Sequence, residues 1–161
     1  EEYLKILQQA VNLGDISLWK VLLIMAILPG FCEEFFTRGY LMRSFRKYGM
    51  WPAIVVSGML FGIMHLDPFR LLPAALLGVY MGWLFWRTGS IWAPMLAHAL
   101  NNAMAVLLER YLVDSPLAGV IIRGETFAWW LYIVSAVVVT ALLWLFRRLV
   151  SPPPDEASGQ A

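Results

Sequence analysis

The sequence predicts an all-α fold: a polytopic membrane helix bundle of about five transmembrane helices, preceded by an N-terminal amphipathic interfacial helix. Three observations predict it. Of 161 residues, 60% are hydrophobic and 14% charged, with a mean hydropathy of +0.67, whereas an ordinary soluble domain is about 25% charged. Apolar runs of helical length recur along the chain, separated by Pro, Gly and basic residues. The few ionisable groups inside those runs stand at helical spacing, and such groups at membrane depth mark functional sites. The net charge of +1 is neutral on the question of nucleic acid, and no nucleic-acid partner is expected. A single cysteine, Cys32, excludes an internal disulfide and a cysteine-based zinc cluster.

Residues 1–17 are the interfacial segment, helical over 1–13. Tyr3, Leu7 and Val11 share one face there, and Glu1, Glu2, Lys5, Gln8, Gln9 and Asn12 supply polar surface. Gly14 ends it, and Asp15 or Ser17 caps the next helix. With neither an initiator Met nor a signal peptide, the chain reads as beginning mid-protein, with earlier spans expected upstream.

The first span covers 18–42 and is kinked by Pro29, one turn before Glu33. A basic loop with Arg43, Arg46 and Lys47 follows. Trp51-Pro52 opens the second helix, which runs to about Leu66 and is stopped by Asp67-Pro68. At about 15 residues it is ~22 Å long, short of a hydrocarbon core of ~30 Å. Its end, at His65, therefore belongs beside protein or a wet cavity. The third helix, 69–86, carries Gly78 and Gly82 on one face, a spacing suited to close helix packing. In Arg87-Thr88-Gly89-Ser90, Gly89 is the stop and Ser90 the cap of a fourth helix over 91–112. A polar loop, 113–125, leads to a fifth span, 126–149, without an ionisable group until Arg147-Arg148. Residues 151–161 read as a disordered tail. Arg43, Arg46, Lys47, Arg87, Arg147 and Arg148 fall on one side of such a bundle, which makes that side, and the C-terminal tail, cytoplasmic.

The chemistry gathers on three helices. Glu34 and Arg38 are i,i+4 neighbours and can neutralise each other. Glu33 points about 100° away from Glu34 and suits a general base acting on water. His65 shares a helix face with Phe61 and can pass a proton to or from the same water; taken alone it reads rather as an interfacial histidine satisfied near Asp67. His98 and Asn102, again four apart, form a pair of donors for a developing oxyanion; an interhelical hydrogen bond is the structural alternative. Asn101 is read as structural, pointing elsewhere. Cys32 lacks an activating neighbour in sequence and reads as a small buried hydrophobe.

The ordered triple Glu33-Glu34-x-x-x-Arg38, Phe61-x-x-x-His65 and His98-x-x-x-Asn102 resembles that of the CAAX-protease and bacteriocin-processing (CPBP, Abi) family, which includes the Ras-converting CAAX endopeptidases. Phe35-Phe36-Thr37-Arg38-Gly39 and Arg87-Thr88-Gly89-Ser90-Ile91-Trp92-Ala93-Pro94 resemble its flanking sequences. The likeness covers roughly 18–105, and members commonly carry additional N-terminal spans. It implies an intramembrane protease domain over 18–150, in the bacterial inner membrane. Glu33 and His65 would activate water, His98 and Asn102 would hold the oxyanion, and Glu34, Arg38 and Phe61 would support the site. The implied substrates are CAAX-type or leader and bacteriocin-type peptides. The family's older metalloprotease label leaves zinc on Glu33, His65 and His98 as the alternative to a metal-free site. A non-catalytic membrane protein for bacteriocin self-immunity or partner anchoring is the alternative function, and a proton pathway through Glu33, His65 and His98 ranks third. The oligomeric state is left open.

Overall fold

The computed structural model describes residues 16–112, 122–123, 126–127 and 148. The interfacial segment up to residue 15, most of the loop after 112, nearly all of the fifth span and the tail lie outside the described residues.

The first helical run, α1, is continuous over 18–48 but changes its winding five times. It is α-helical over Leu18–Leu22, π over Leu23–Ile27, α over Leu28–Glu34, π over Phe35–Leu41, α over Met42–Phe45 and 3₁₀ over Arg46–Tyr48. The sequence reading ends this span at 42 and kinks it at Pro29. The structure instead carries the helix through the basic residues and widens it into a π turn just before Pro29. Pro29 has no N–H to give the carbonyl one turn back, and a π turn is one way a helix absorbs that gap. Ser17 occupies the cap position without a side-chain hydrogen bond.

Gly49, at φ 102°, makes the turn into α2, Met50–Met64. These 15 residues span ~22 Å, so the short second helix is as expected, ending at Met64 rather than Leu66. His65 flanks its C-terminus, and Leu66 follows at φ 52°, a left-handed conformation uncommon outside Gly, Asn and Asp. Asp67 then caps α3, Pro68–Thr88, its Oδ1 accepting from the Phe69 N–H at 2.9 Å. Gly89 closes α3 at φ 64°, its N–H donating to the Phe85 carbonyl. The next helix, α4, is Trp92–Leu112. Its first turn hangs from the Ile91 carbonyl, which accepts from the Met95 N–H at 3.2 Å, so Ile91 takes the place given to Ser90 in the sequence reading.

Among the described residues there are four long helical runs, and the expected fifth span lies almost wholly outside them. Taken as single regular helices, α3 alone is long and apolar enough to cross a membrane by length and composition. The fifth span also begins too early in the sequence reading. Thr126–Phe127 is a two-residue strand, paired antiparallel with Ile122–Arg123 so that Ile122 faces Phe127 and Arg123 faces Thr126. Thr and Phe favour a pleated backbone as readily as a helix start.

The largest helix interface joins α2 to α3. Gly58, Gly62 and Gly78 let these two backbones nearly touch: a Cβ on Gly58 would lie 2.6 Å from the Val79 nitrogen. Gly82 lies on the same seam against Ile54, as the small-residue spacing predicts. Met42, Ala53 and Ile54 form the buried cluster at the basic end, with Trp83 and Trp86 packed on it. The second interface brings the first half of α1 onto α4. Outward-facing Trp19, Phe35, Trp51, Leu72, Leu76, Leu96 and Leu100 leave a broad apolar exterior, larger than an aqueous monomer sustains and suited to lipid.

Candidate active site

The site is built where α1 meets α4. Gly30 makes the meeting possible, since a Cβ there would sit 3.0 Å from the Ala99 backbone nitrogen and methyl. One turn beyond Gly30 on α1 is Glu34, and next to Ala99 on α4 is His98. That close approach lets Glu34 Oε1 and His98 Nδ1 come within 2.9 Å. Arg38 Nη1 donates to the same Oε1, also at 2.9 Å. Glu34 and Arg38 are 0% exposed and His98 is 2% exposed, so the three form a buried ionic network. The expected i,i+4 pair is present, and His98 is an added member that joins two helices.

Arg38 reaches further. Its Nη2 donates to the Gly78 carbonyl on α3, and its guanidinium lies over the Phe61 ring of α2, 5.2 Å from the centroid. One side chain therefore touches all three other helices, directly or through Glu34. Phe61 is itself buried and stands between the two histidines. Its ring meets that of His98 edge-on at 5.5 Å and that of His65 edge-on at 4.9 Å. Arg38, His65 and His98, from three helices, thus share one aromatic ring.

The histidines differ in setting. With Nδ1–H of His98 donating to Glu34, the ring is oriented and Nε2 is the nitrogen left for another partner. His65 is exposed at the end of α2, and its Nδ1 lies 2.9 Å from the Phe61 carbonyl, donating in the tautomer that fits an acceptor oxygen. It sits at the rim rather than deep in the bundle, because α2 ends there.

Glu33 is half-buried, and among the described residues no hydrogen-bond partner holds its carboxylate. Its backbone is held instead: the Thr37 hydroxyl donates to the Glu33 carbonyl at 2.6 Å and accepts from Arg38 Nη1. Thr37 is a contact the sequence reading passes over, although its i+4 spacing from Glu33 is a usable signal. Asn101 is exposed, and its Nδ2 donates to Asn102 Oδ1 at 3.3 Å, which leaves the Asn102 Nδ2 to donate onward. Cys32 is exposed rather than a buried hydrophobe, because its face of α1 is turned out of the bundle.

Among the described residues no three His, Cys, Asp or Glu side chains are grouped so as to hold a metal ion. Glu33, His65 and His98 therefore do not fit as a preformed zinc set.

The type II CAAX prenyl endopeptidase Rce1-like family matches residues 15–104. A curated relative, named "Putative membrane peptidase YdiL", from Bacillus subtilis (strain 168), is 28% identical over 90 residues, which cover 55% of this chain and 37% of that relative. The chain thus spans little more than a third of the relative's length. No solved structure matches. The matched segment contains all three motifs and every residue of the buried network, and on that match the chain belongs to the type II CAAX prenyl endopeptidase Rce1-like family.

Proposed function

We propose that the protein is an integral-membrane endopeptidase that hydrolyses a peptide bond in a polar pocket bounded by α1, α2 and α4. The observation that carries this is the buried Arg38–Glu34–His98 network beside the half-buried Glu33 carboxylate, which no hydrogen bond holds among the described residues. Scaffolding alone gains little from burying such a network, because ionic groups in the interior are often no more stabilising than apolar ones.

The steps follow from the groups present. The Glu33 carboxylate takes a proton from a water whose oxygen bonds to the scissile carbonyl carbon, and the C=O pair moves to oxygen. His98, in its charged form, donates from Nε2 to that oxyanion, and Asn102 donates from Nδ2. Glu33 then returns the proton to the leaving nitrogen as the C–N bond breaks. His65, at the rim, exchanges protons between Glu33 and solvent. Glu34 and Arg38 hold His98 in place, and Phe61 spaces the two imidazoles. The substrates are CAAX-type or leader and bacteriocin-type peptides. The basic end of the bundle, with Arg43, Arg46, Lys47 and Arg87, faces the cytoplasm of a bacterial inner membrane.

The test compares peptides released from membrane vesicles carrying wild-type protein with those from Glu33→Ala vesicles, read by mass spectrometry. Peptides released by wild type alone are the expected result. Identical profiles with full activity in the variant end the proposal in favour of an immunity or anchoring role.

A further inference from the structure

We infer that Thr37 is a positioning residue for the hydrolytic site, pinning the turn that bears Glu33 to the ionic network that orients His98. A guanidinium has no acceptor atom, so Arg38 Nη1 must be the donor to the Thr37 oxygen. That leaves the single hydroxyl hydrogen of Thr37 one direction, toward the Glu33 carbonyl 2.6 Å away. The chain of donors therefore runs one way, from Arg38 through Thr37 to the backbone of Glu33. A cationic first donor polarises the hydroxyl and strengthens its own donation.

The location explains why such a pin matters. The helix passes from α to π winding between Glu34 and Phe35, one residue past Glu33. Such π turns recur at functional sites. Thr37 is 0% exposed, so no solvent competes for its hydroxyl. Arg38 is meanwhile fixed to Glu34 on its own helix and to the Gly78 carbonyl on α3. Thr37 thus couples the carboxylate that takes the proton to the imidazole that meets the oxyanion, though it touches neither functional group. Losing the hydroxyl frees the Glu33 turn and one Nη1 proton of Arg38 together.

The rate arm of the test rests on the endopeptidase reading; the spectroscopic arm does not. Thr37→Val, Thr37→Ser and wild type are compared in detergent micelles by turnover of a peptide that wild-type vesicles release, by the ¹⁵N spectrum of the His98 ring, and by melting. In Thr37→Val, kcat falls about 10- to 100-fold, the usual cost of removing an orienting partner, with KM little changed. The His98 Nδ1–H signal moves, and the protein still melts cooperatively. Thr37→Ser restores both readouts. Wild-type turnover and an unmoved His98 signal in Thr37→Val overturn the inference, as does a serine variant no better than valine, which would assign the effect to methyl packing. If wild type cleaves nothing, the endopeptidase reading fails, and the His98 signal alone decides the pin. If Thr37→Val does not fold, Thr37→Cys, close in size and a weaker donor, takes its place with the same expected and overturning results.

Discussion

The α2–α3 hairpin and the α1–α4 contact hold the same small bundle together by opposite means. Between α2 and α3 the seam is glycine against backbone, with Gly58 and Gly78 so close that their helices have no room for a methyl group. Between α1 and α4 the seam is a shared carboxylate, Glu34, with Arg38 on one side and His98 on the other. The first seam gains from dispersion contacts that each contribute little and sum to much. The second carries the desolvation of buried charges and is stable only while every partner is present. The difference shows which seam packing explains and which needs a functional reason.

The comparison is broken most severely by removing one charge. Arg38→Met leaves Glu34 buried with His98 as its remaining partner, a loss of about 3–5 kcal/mol. Folded yield in micelles collapses, and the double variant Arg38→Met with Glu34→Gln recovers much of it. The apolar seam fails for a steric reason instead. Gly78→Leu drives a side chain into the Gly58 backbone, 2.9 Å from where a Cβ would start, at a cost of about 1–3 kcal/mol or more; no second charge change rescues it. Asp67→Ala, at the cap joining the hairpin, costs about 1 kcal/mol and lowers the melting temperature without touching turnover. The smallest effect concerns metal: a chelator such as 1,10-phenanthroline leaves peptide release unchanged, and a dose-dependent loss restored by zinc would return zinc to the mechanism.

Local features were legible in the sequence. The Glu34–Arg38 pair follows from four-residue spacing, the short α2 from Asp67-Pro68, the tight α2–α3 seam from Gly78 and Gly82, and the end of α3 from Gly89. Each needs only neighbours within a turn or two. The Glu34–His98 contact joins residues 64 apart, and no periodicity announces which buried carboxylate an imidazole will meet. The changes of winding in α1 were also hidden, because nothing in the spacing of Phe35–Leu41 separates a π turn from an α turn. The strand at Thr126–Phe127 lost to hydropathy, which does not distinguish a β-prone start from the first turn of a span.

In the proposed mechanism Glu33, not the buried network next to it, carries the proton of hydrolysis. The decisive measurement is turnover of the released peptide by Glu33→Gln protein, matched to wild type in melting temperature. A fall of about 10²- to 10⁴-fold is expected, the range for loss of a general base, with the His98 ring signal unchanged. Turnover within twofold of wild type would contradict it.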